Sequence, residues 1–369
     1  MSFELSAVIR PEVAALHAYR LELPPGGPWV KLDANESPFA LGDLMREELA
    51  AELAKALAAV ELHRYPDPEA RELRRVLARD LGVAPEQVMV SNGSDEAIQL
   101  VLLAVGASGA VVAAPVPTFV MYELTTRALG LRFVGFPLSD EFDLDVRQFC
   151  ELMRAERPRL VFLAWPNNPT GRLYEPAAVE EIVRVCCGDG VNALVVVDEA
   201  YFHYAGRTFL AKLGQYPNLI ILRTLSKIGL AGIRLGILVA STAVVQEISK
   251  VRPPYNVNAL SQAAARVVLR HADVVGRQAA AIVPERDRVL AKLRSFPGVT
   301  TFPSQANFFL MRTARPGDEV FQGLLKRGVL VRNFSHAPYL ANCLRVTVGT
   351  PEDNDAFLAA LSDVLGYGR

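Results

Sequence analysis

The sequence predicts an α/β protein built in layers, with a large domain on a mostly parallel sheet and a smaller α+β companion. Two observations carry this. Between about residues 87 and 240 short apolar runs alternate with helical patterns: Val88–Val90, Ala110–Ala114, Leu160–Ala164, Leu194–Val197, Leu219–Leu222 and Ile237–Val239. Runs that are apolar on both faces suit strands of a sheet covered by helices on each side. The chain also has 369 residues, beyond the size at which one hydrophobic core stops growing, so a second domain is expected.

Taken in order, the first forty or so residues are rich in proline and glycine and show no strand within the alternating pattern, so they are expected to wrap onto the second domain. Amphipathic stretches separate the apolar runs. Asp95–Val105 opens after Ser94, a good N-cap, and Pro176–Cys187 opens after Glu175 with proline in its first turn. After Val251 an Arg-Pro-Pro-Tyr segment breaks the pattern. A long helical tract from about Asn258 to Arg294 then leads to short strands near Asn307–Met311 and Leu344–Val348. The expected division is 45–252 for the large domain, with 1–44 and 253–369 forming the small one.

Hydrophobic residues make up 51% and charged residues 21%, a globular composition. The net charge of -1, without a long basic run, gives no footprint for nucleic acid or an acidic membrane surface and favours small-molecule chemistry. Cys150, Cys186, Cys187 and Cys343 have neither metal-ligand spacing nor a secreted disulfide framework and read as reduced thiols. The N-terminal residues lack a basic segment followed by an apolar one, and no run approaches about 18 apolar residues, so a soluble, cytoplasmic protein is expected.

The chemistry-bearing residues sit at predicted strand ends. Lys227 follows the run ending at Leu222, at the carboxyl edge where open α/β sheets place ligands, and could meet a bound aldehyde; a lone Ser-Lys pair is more often a solvated surface lysine. Asp198 ends Leu-Val-Val-Val-Asp, where an acid at a dry sheet edge needs a cationic partner or serves as a helix cap. Asn-Gly-Ser-Asp-Glu-Ala (92–97) joins a strand to a helix, so its free amides make an anion site unless Asp95 and Glu96 satisfy the helix dipole themselves.

Together Asn-Gly-Ser-Asp-Glu (92–96), Asn-Asn-Pro-Thr-Gly (167–171), Asp-Glu-Ala-Tyr (198–201) and Thr-Leu-Ser-Lys (224–227) with Arg234 resemble, in content and order, the fold-type I pyridoxal-phosphate aminotransferases. The likeness runs nearly end to end. Leu-Asp-Ala-Asn-Glu-Ser-Pro (32–38), Arg-Tyr-Pro-Asp (64–67) and Leu-Arg-Val-Thr-Val-Gly-Thr (344–350) are most similar to the histidinol-phosphate aminotransferases. The resemblance implies a seven-stranded, mostly parallel sheet flanked by helices, and pyridoxal 5'-phosphate as cofactor. By it, Lys227 forms the Schiff base and acts as the base, Asp198 pairs with the ring nitrogen, Asn168 and Tyr201 hold the phenolate oxygen, and Tyr122 stacks on the ring. It also assigns the phosphate to the amides of Ser94, Asp95 and Glu96, the hydroxyls of Thr224 and Ser226, and Arg234. Tyr65 is expected to reach the phosphate of a neighbouring subunit, which implies a homodimer with a shared active site. The step from Lys227 to Arg234 is seven residues, one shorter than is common in the resembling enzymes; the glycines between them can absorb the difference.

Substrate choice needs a second anion site, because histidinol phosphate carries a phosphate where amino acids carry a carboxylate. Arg345 and Arg332 are the candidates, since a planar guanidinium fork suits either anion and so also 2-oxoglutarate or glutamate. The resemblance places Tyr19 and Asn35 near the substrate, with Asn307 a further candidate. Histidinol-phosphate transamination in histidine biosynthesis is therefore the expected function. The alternatives are an aromatic amino acid aminotransferase, a threonine-phosphate decarboxylase on the same fold, or a non-catalytic aminotransferase-like sensor, for which no basic helix-turn-helix is seen before residue 30.

Overall fold

The computed structural model describes residues 3–16, 27, 29–40 and 47–367. Its strands in chain order are β1 (Val30–Leu32), β2 (Val88–Asn92), β3 (Val111–Val116), β4 (Arg132–Pro137), β5 (Leu160–Ala164), β6 (Leu194–Asp198), β7 (Leu219–Thr224), β8 (Leu235–Ala240), β9 (Val299–Thr301), β10 (Phe308–Thr313), β11 (Val329–Asn333) and β12 (Cys343–Thr347). They form two sheets: seven strands ordered β2-β8-β7-β6-β5-β3-β4, and five ordered β1-β11-β12-β10-β9.

In the large sheet only β8 runs against its neighbours, β2 and β7, while β3, β4, β5, β6 and β7 pair parallel. Alternation along β5, β6 and β7 sends Val161, Leu163, Val195, Val197 and Ile221 into one helix-covered layer. Leu160, Phe162, Val196, Ile220 and Leu222 enter the other. Both faces are dry, which is why these strands read as unbroken apolar runs. All six predicted runs are strands. The seventh, β4, went unseen because it lies at the sheet edge with an alternating, partly exposed pattern, and contains glycine and a terminal proline.

The helix Pro176–Cys187 forms as expected, with proline in its first turn. The helix predicted from Asp95 instead starts at Gly93, with Asn92 as N-cap and no side-chain capping bond, so Ser94 is not the cap. Gly93 makes the turn at φ 78, and the Glu96 carboxylate accepts the Asn92 N–H at 2.5 Å, which satisfies a helix-start donor and leaves Ser94 in the first turn. The predicted tract from 258 to 294 is two helices, Ala259–Arg270 and Ala272–Leu293, parted at His271.

The N-terminal segment contributes a strand that its own pattern does not show. Val30–Leu32 adds in parallel to Val329–Val331 at the edge of the five-stranded sheet. Three residues are too few for a periodicity signal, and the partner that supplies the ladder is about 300 positions away. The four cysteines are free, with Cys187 alone exposed. Among the described residues there is no cluster of potential metal ligands and no helix long and apolar enough to cross a membrane.

The ends of β6 and β7 are tied by a buried ion pair. Arg223 donates to Glu199 Oε2 from Nε at 3.0 Å and from an η nitrogen at 2.8 Å, with the Glu199 side chain fully buried. The carboxylate also accepts the Phe209 N–H at 2.6 Å and the Thr208 hydroxyl at 2.8 Å, and the guanidinium lies 3.7 Å from the centre of the Phe202 ring. Glu199→Ala would strand the guanidinium in this setting, so urea unfolding should report a loss of about 3–5 kcal/mol.

Candidate active site

The carboxyl ends of β5, β6 and β7, the start of the Gly93–Val105 helix, the segment following β1 and one face of β11 and β12 converge on a cavity of about 250 Å³. Ser94, Asp95, Tyr122, Asn168, Asp198, Tyr201, Thr224, Ser226, Lys227, Arg234, Arg332, Arg345 and Asn35 all line it. The sequence thus named most of its wall.

Asp198 is the last residue of β6 and is buried. Burial pushes its carboxyl up to about 6, opposed by the Tyr122 hydroxyl, which donates to Oδ2 at 2.7 Å, and by the Ala200 N–H, which donates to Oδ1 at 3.0 Å. Tyr122 is fully buried, and its ring stacks on Phe162 with centroids 4.4 Å apart. One face of the expected stacking platform is therefore already taken by the protein, and the hydroxyl has a role as donor to Asp198 that the sequence did not suggest.

Lys227 lies just beyond β7, with Nζ donating to the Ala34 carbonyl at 3.3 Å. Burial, and secondarily the positive charge of Arg345, bring its amine down to about 8 from an ordinary 10.5. Between the two strand ends stands a polar corner. Thr224 Oγ1 donates to Ser226 Oγ at 3.0 Å, and Arg234 donates to Ser226 Oγ and to Asp95 Oδ2, both at 3.3 Å. A Cβ placed on Gly93 would sit 2.5 Å from the Arg234 guanidinium, and one on Gly236 would sit 2.4 Å from the Gly93 backbone. Both glycines keep open a cradle made of a helix start, two hydroxyls and a guanidinium, a donor set that fits a phosphate. The seven-residue step from Lys227 to Arg234 runs through a 3-10 turn, Ala231–Ile233, with Arg234 itself left-handed at φ 52.

On the opposite wall, Arg345 is buried in β12 and donates to Asn168 Oδ1 and to the Asp33 carbonyl, each at 2.6 Å. The first bond turns the Asn168 amide so that its NH₂ is the end left to donate. Arg332 stands directly across the ladder from Arg345, so two guanidinium groups share this side of the cavity. Tyr201 Oη accepts from Asn35 Nδ2 at 2.9 Å.

Three expected residues lie elsewhere. Glu96 does not line the cavity; its side chain folds back to Asn92 and accepts from Asn256 Nδ2 at 2.7 Å. Tyr65 is 82% exposed, stacked on Tyr255 at 4.6 Å, away from the cavity of its own chain. Asn307 is buried behind the wall and donates to the Asn35 carbonyl at 3.0 Å. Tyr19 lies outside the described residues. The sequence also missed Asp33, Ala34, Phe119, Ala164, Pro166 and Ala200 as lining residues. Ala200 could have been found within Asp-Glu-Ala-Tyr, but Asp33 and Ala34 act through carbonyls that any residue would present.

A mixed, mostly parallel sheet with a lysine and a carboxylate lining one cavity at its carboxyl edge, beside a cradle that fits a phosphate, suits a pyridoxal-phosphate-dependent enzyme. The chain belongs to the aminotransferase class I and II family, whose sequence profile matches residues 27–361. It is 47% identical over 363 residues to a histidinol-phosphate aminotransferase of Methylibium petroleiphilum, covering 98% of this chain and 95% of that protein. It is 45% identical over 365 residues to histidinol-phosphate aminotransferase 1 of Ralstonia nicotianae, covering 97% and 96%. The crystal structure of histidinol-phosphate aminotransferase from Sinorhizobium meliloti in complex with pyridoxal-5'-phosphate superposes with a TM-score of 0.83 at 26% identity, over 97% of this chain and 98% of that one.

The lowered Lys227 pKa has a direct readout. Only the neutral amine attacks an aldehyde, so borohydride trapping of pyridoxal phosphate at Lys227 of the cofactor-free protein should rise with pH and reach half its plateau near 8 instead of near 10.5. Peptide mapping across a pH series measures it.

Proposed function

We propose that this enzyme moves the amino group between L-histidinol phosphate and 2-oxoglutarate, in histidine biosynthesis, as a cytoplasmic homodimer. The observation that carries the substrate assignment is the pair Arg345 and Arg332, side by side on adjacent strands in the cavity that holds Lys227. A guanidinium fork accepts a phosphate in one half-reaction and the carboxylate of 2-oxoglutarate in the other.

The residues suit the cofactor of this family. The amides of Ser94 and Asp95, the hydroxyls of Thr224 and Ser226, and Arg234 would take its phosphate, and Lys227 would hold its aldehyde. Pyridoxal phosphate supplies an electrophilic carbon for the amine and a ring that takes up the electron pair released at the substrate α-carbon. Asp198, ionised above about 6, keeps a proton on the ring nitrogen. Asn168 and Tyr201 donate to the ring oxygen. Lys227 Nζ would be the group that moves a proton at the substrate α-carbon, since an amine brought down to about 8 gives up and regains a proton readily near neutral pH.

Homodimer formation is supported by apolar side chains left exposed on this chain: Leu62, Tyr65, Tyr255 and Leu260 are 72%, 82%, 40% and 42% exposed. Tyr65 then completes the phosphate site of the partner subunit.

Three measurements check these assignments. Histidinol phosphate should be turned over with 2-oxoglutarate well ahead of phenylalanine, tyrosine or threonine phosphate, and absence of keto product from histidinol phosphate would defeat the substrate assignment. Lys227→Ala should lose about 10²–10⁴-fold or more in turnover, and parental activity in that variant would remove Lys227 as the base. Mixing Tyr65→Ala with Lys227→Ala chains should restore a site with native Lys227 and a native partner tyrosine, giving more activity than either variant alone; no recovery in confirmed mixed dimers would place Tyr65 outside the site.

A further inference from the structure

Every hydrogen-bonding group of Asn35 has a partner. Asn35 is buried in a left-handed conformation, φ 54, which asparagine tolerates better than most residues. Its N–H donates to Thr347 Oγ1 at 2.9 Å, and the Thr347 hydroxyl donates back to Asn35 Oδ1 at 3.3 Å. Its carbonyl accepts from Asn307 Nδ2. Asn307 is fully buried, and its Oδ1 has no partner among the described residues. An amide buried with one end unsatisfied costs more than an apolar side chain of the same shape, so its NH₂ bond to residue 35 has to repay that cost.

The consequence lies in the direction of two hydrogens. A carboxamide has one accepting and one donating end, and the Thr347 hydroxyl claims the accepting end of Asn35. The donating end is thereby turned to Tyr201 Oη. A phenol has a single proton, and an oxygen that accepts from Asn35 must send that proton elsewhere. Tyr201 lines the cavity, so the proton is aimed there. With the amide reversed, Asn35 would present its oxygen to Tyr201 and draw the phenol proton away from the cavity.

We propose that Thr347 is a positioning residue that sets the donor polarity of Tyr201: its hydroxyl fixes the Asn35 amide, and the amide makes Tyr201 a hydrogen-bond donor into the cavity. This rests on the reading of Tyr201 as donor to the cofactor's ring oxygen and is independent of which amine is the substrate.

The test is an absorbance titration of the cofactor bound to the intact protein. A donor to the ring oxygen lowers that oxygen's hold on the nearby imine proton, so loss of the donor raises the pH midpoint of the chromophore. Tyr201→Phe should raise it by about one pH unit, as expected when one hydrogen bond to a charged oxygen is lost. Thr347→Val should raise it in the same direction, Thr347→Ser should keep the parental midpoint, and Thr347→Val combined with Tyr201→Phe should go no further than Tyr201→Phe alone. Thr347→Ala replaces Thr347→Val if the latter does not fold. A shift in Tyr201→Phe with none in Thr347→Val or Thr347→Ala overturns the inference and leaves the Tyr201 assignment standing. No shift in Tyr201→Phe overturns both.

Discussion

The site depends on the desolvation of an amine and a carboxyl at the dry carboxyl edge of one sheet. Water removed from Lys227 lowers its pKa, and water removed from Asp198 raises its own, so burial alone drives both groups toward neutrality. The surroundings treat the two differently. Asp198 receives the Tyr122 hydroxyl and the Ala200 N–H, which restrain the rise, whereas Lys227 faces the further positive charge of Arg345. The carboxylate is therefore ionised above about 6 while the amine gives up its proton near 8. The electron sink and the base proposed here both need that window.

Geometry is imposed from two sides. On the face of the large sheet away from the cavity, the Arg223–Glu199 pair fastens the end of β7 to the turn after β6, one residue from Thr224 and one from Asp198. From the other side the five-stranded sheet and the segment after β1 reach across with Ala34 to Lys227, Asn35 to Tyr201 and Arg345 to Asn168. Lys227, Tyr201 and Asn168 thus each have a partner from the part of the chain that also carries the guanidinium pair, whereas Asp198 and Tyr122 bond to each other. The polarity of these bonds matters as much as their length, because the same heavy-atom positions with a reversed Asn35 amide would leave Tyr201 pointing its proton the wrong way.

Much of this was legible from the residues. Strands β5 to β8 were plain because burial on both faces writes an unbroken apolar run; Lys227, Asp198 and the 92–97 turn could be placed near strand ends by those runs, while their roles came from the resemblance of the motifs taken together. The edge strand β4 was hidden by its half-exposed alternation, and β1 by its three-residue length. The helix start was misjudged because Gly93, left-handed at φ 78, already opens the helix after Asn92, which leaves Ser94 within the first turn.

The sequence by itself determined which side chains stand at the carboxyl edge of the large sheet, since periodicity and strand length are local and report burial directly. Only the tertiary structure decided how those side chains are aimed. The carbonyls of Asp33 and Ala34 carry no residue identity, and Thr347 meets Asn35 across 312 positions of chain. The direction of a hydrogen bond is fixed by the partner found through space, and a one-dimensional pattern contains no record of that partner.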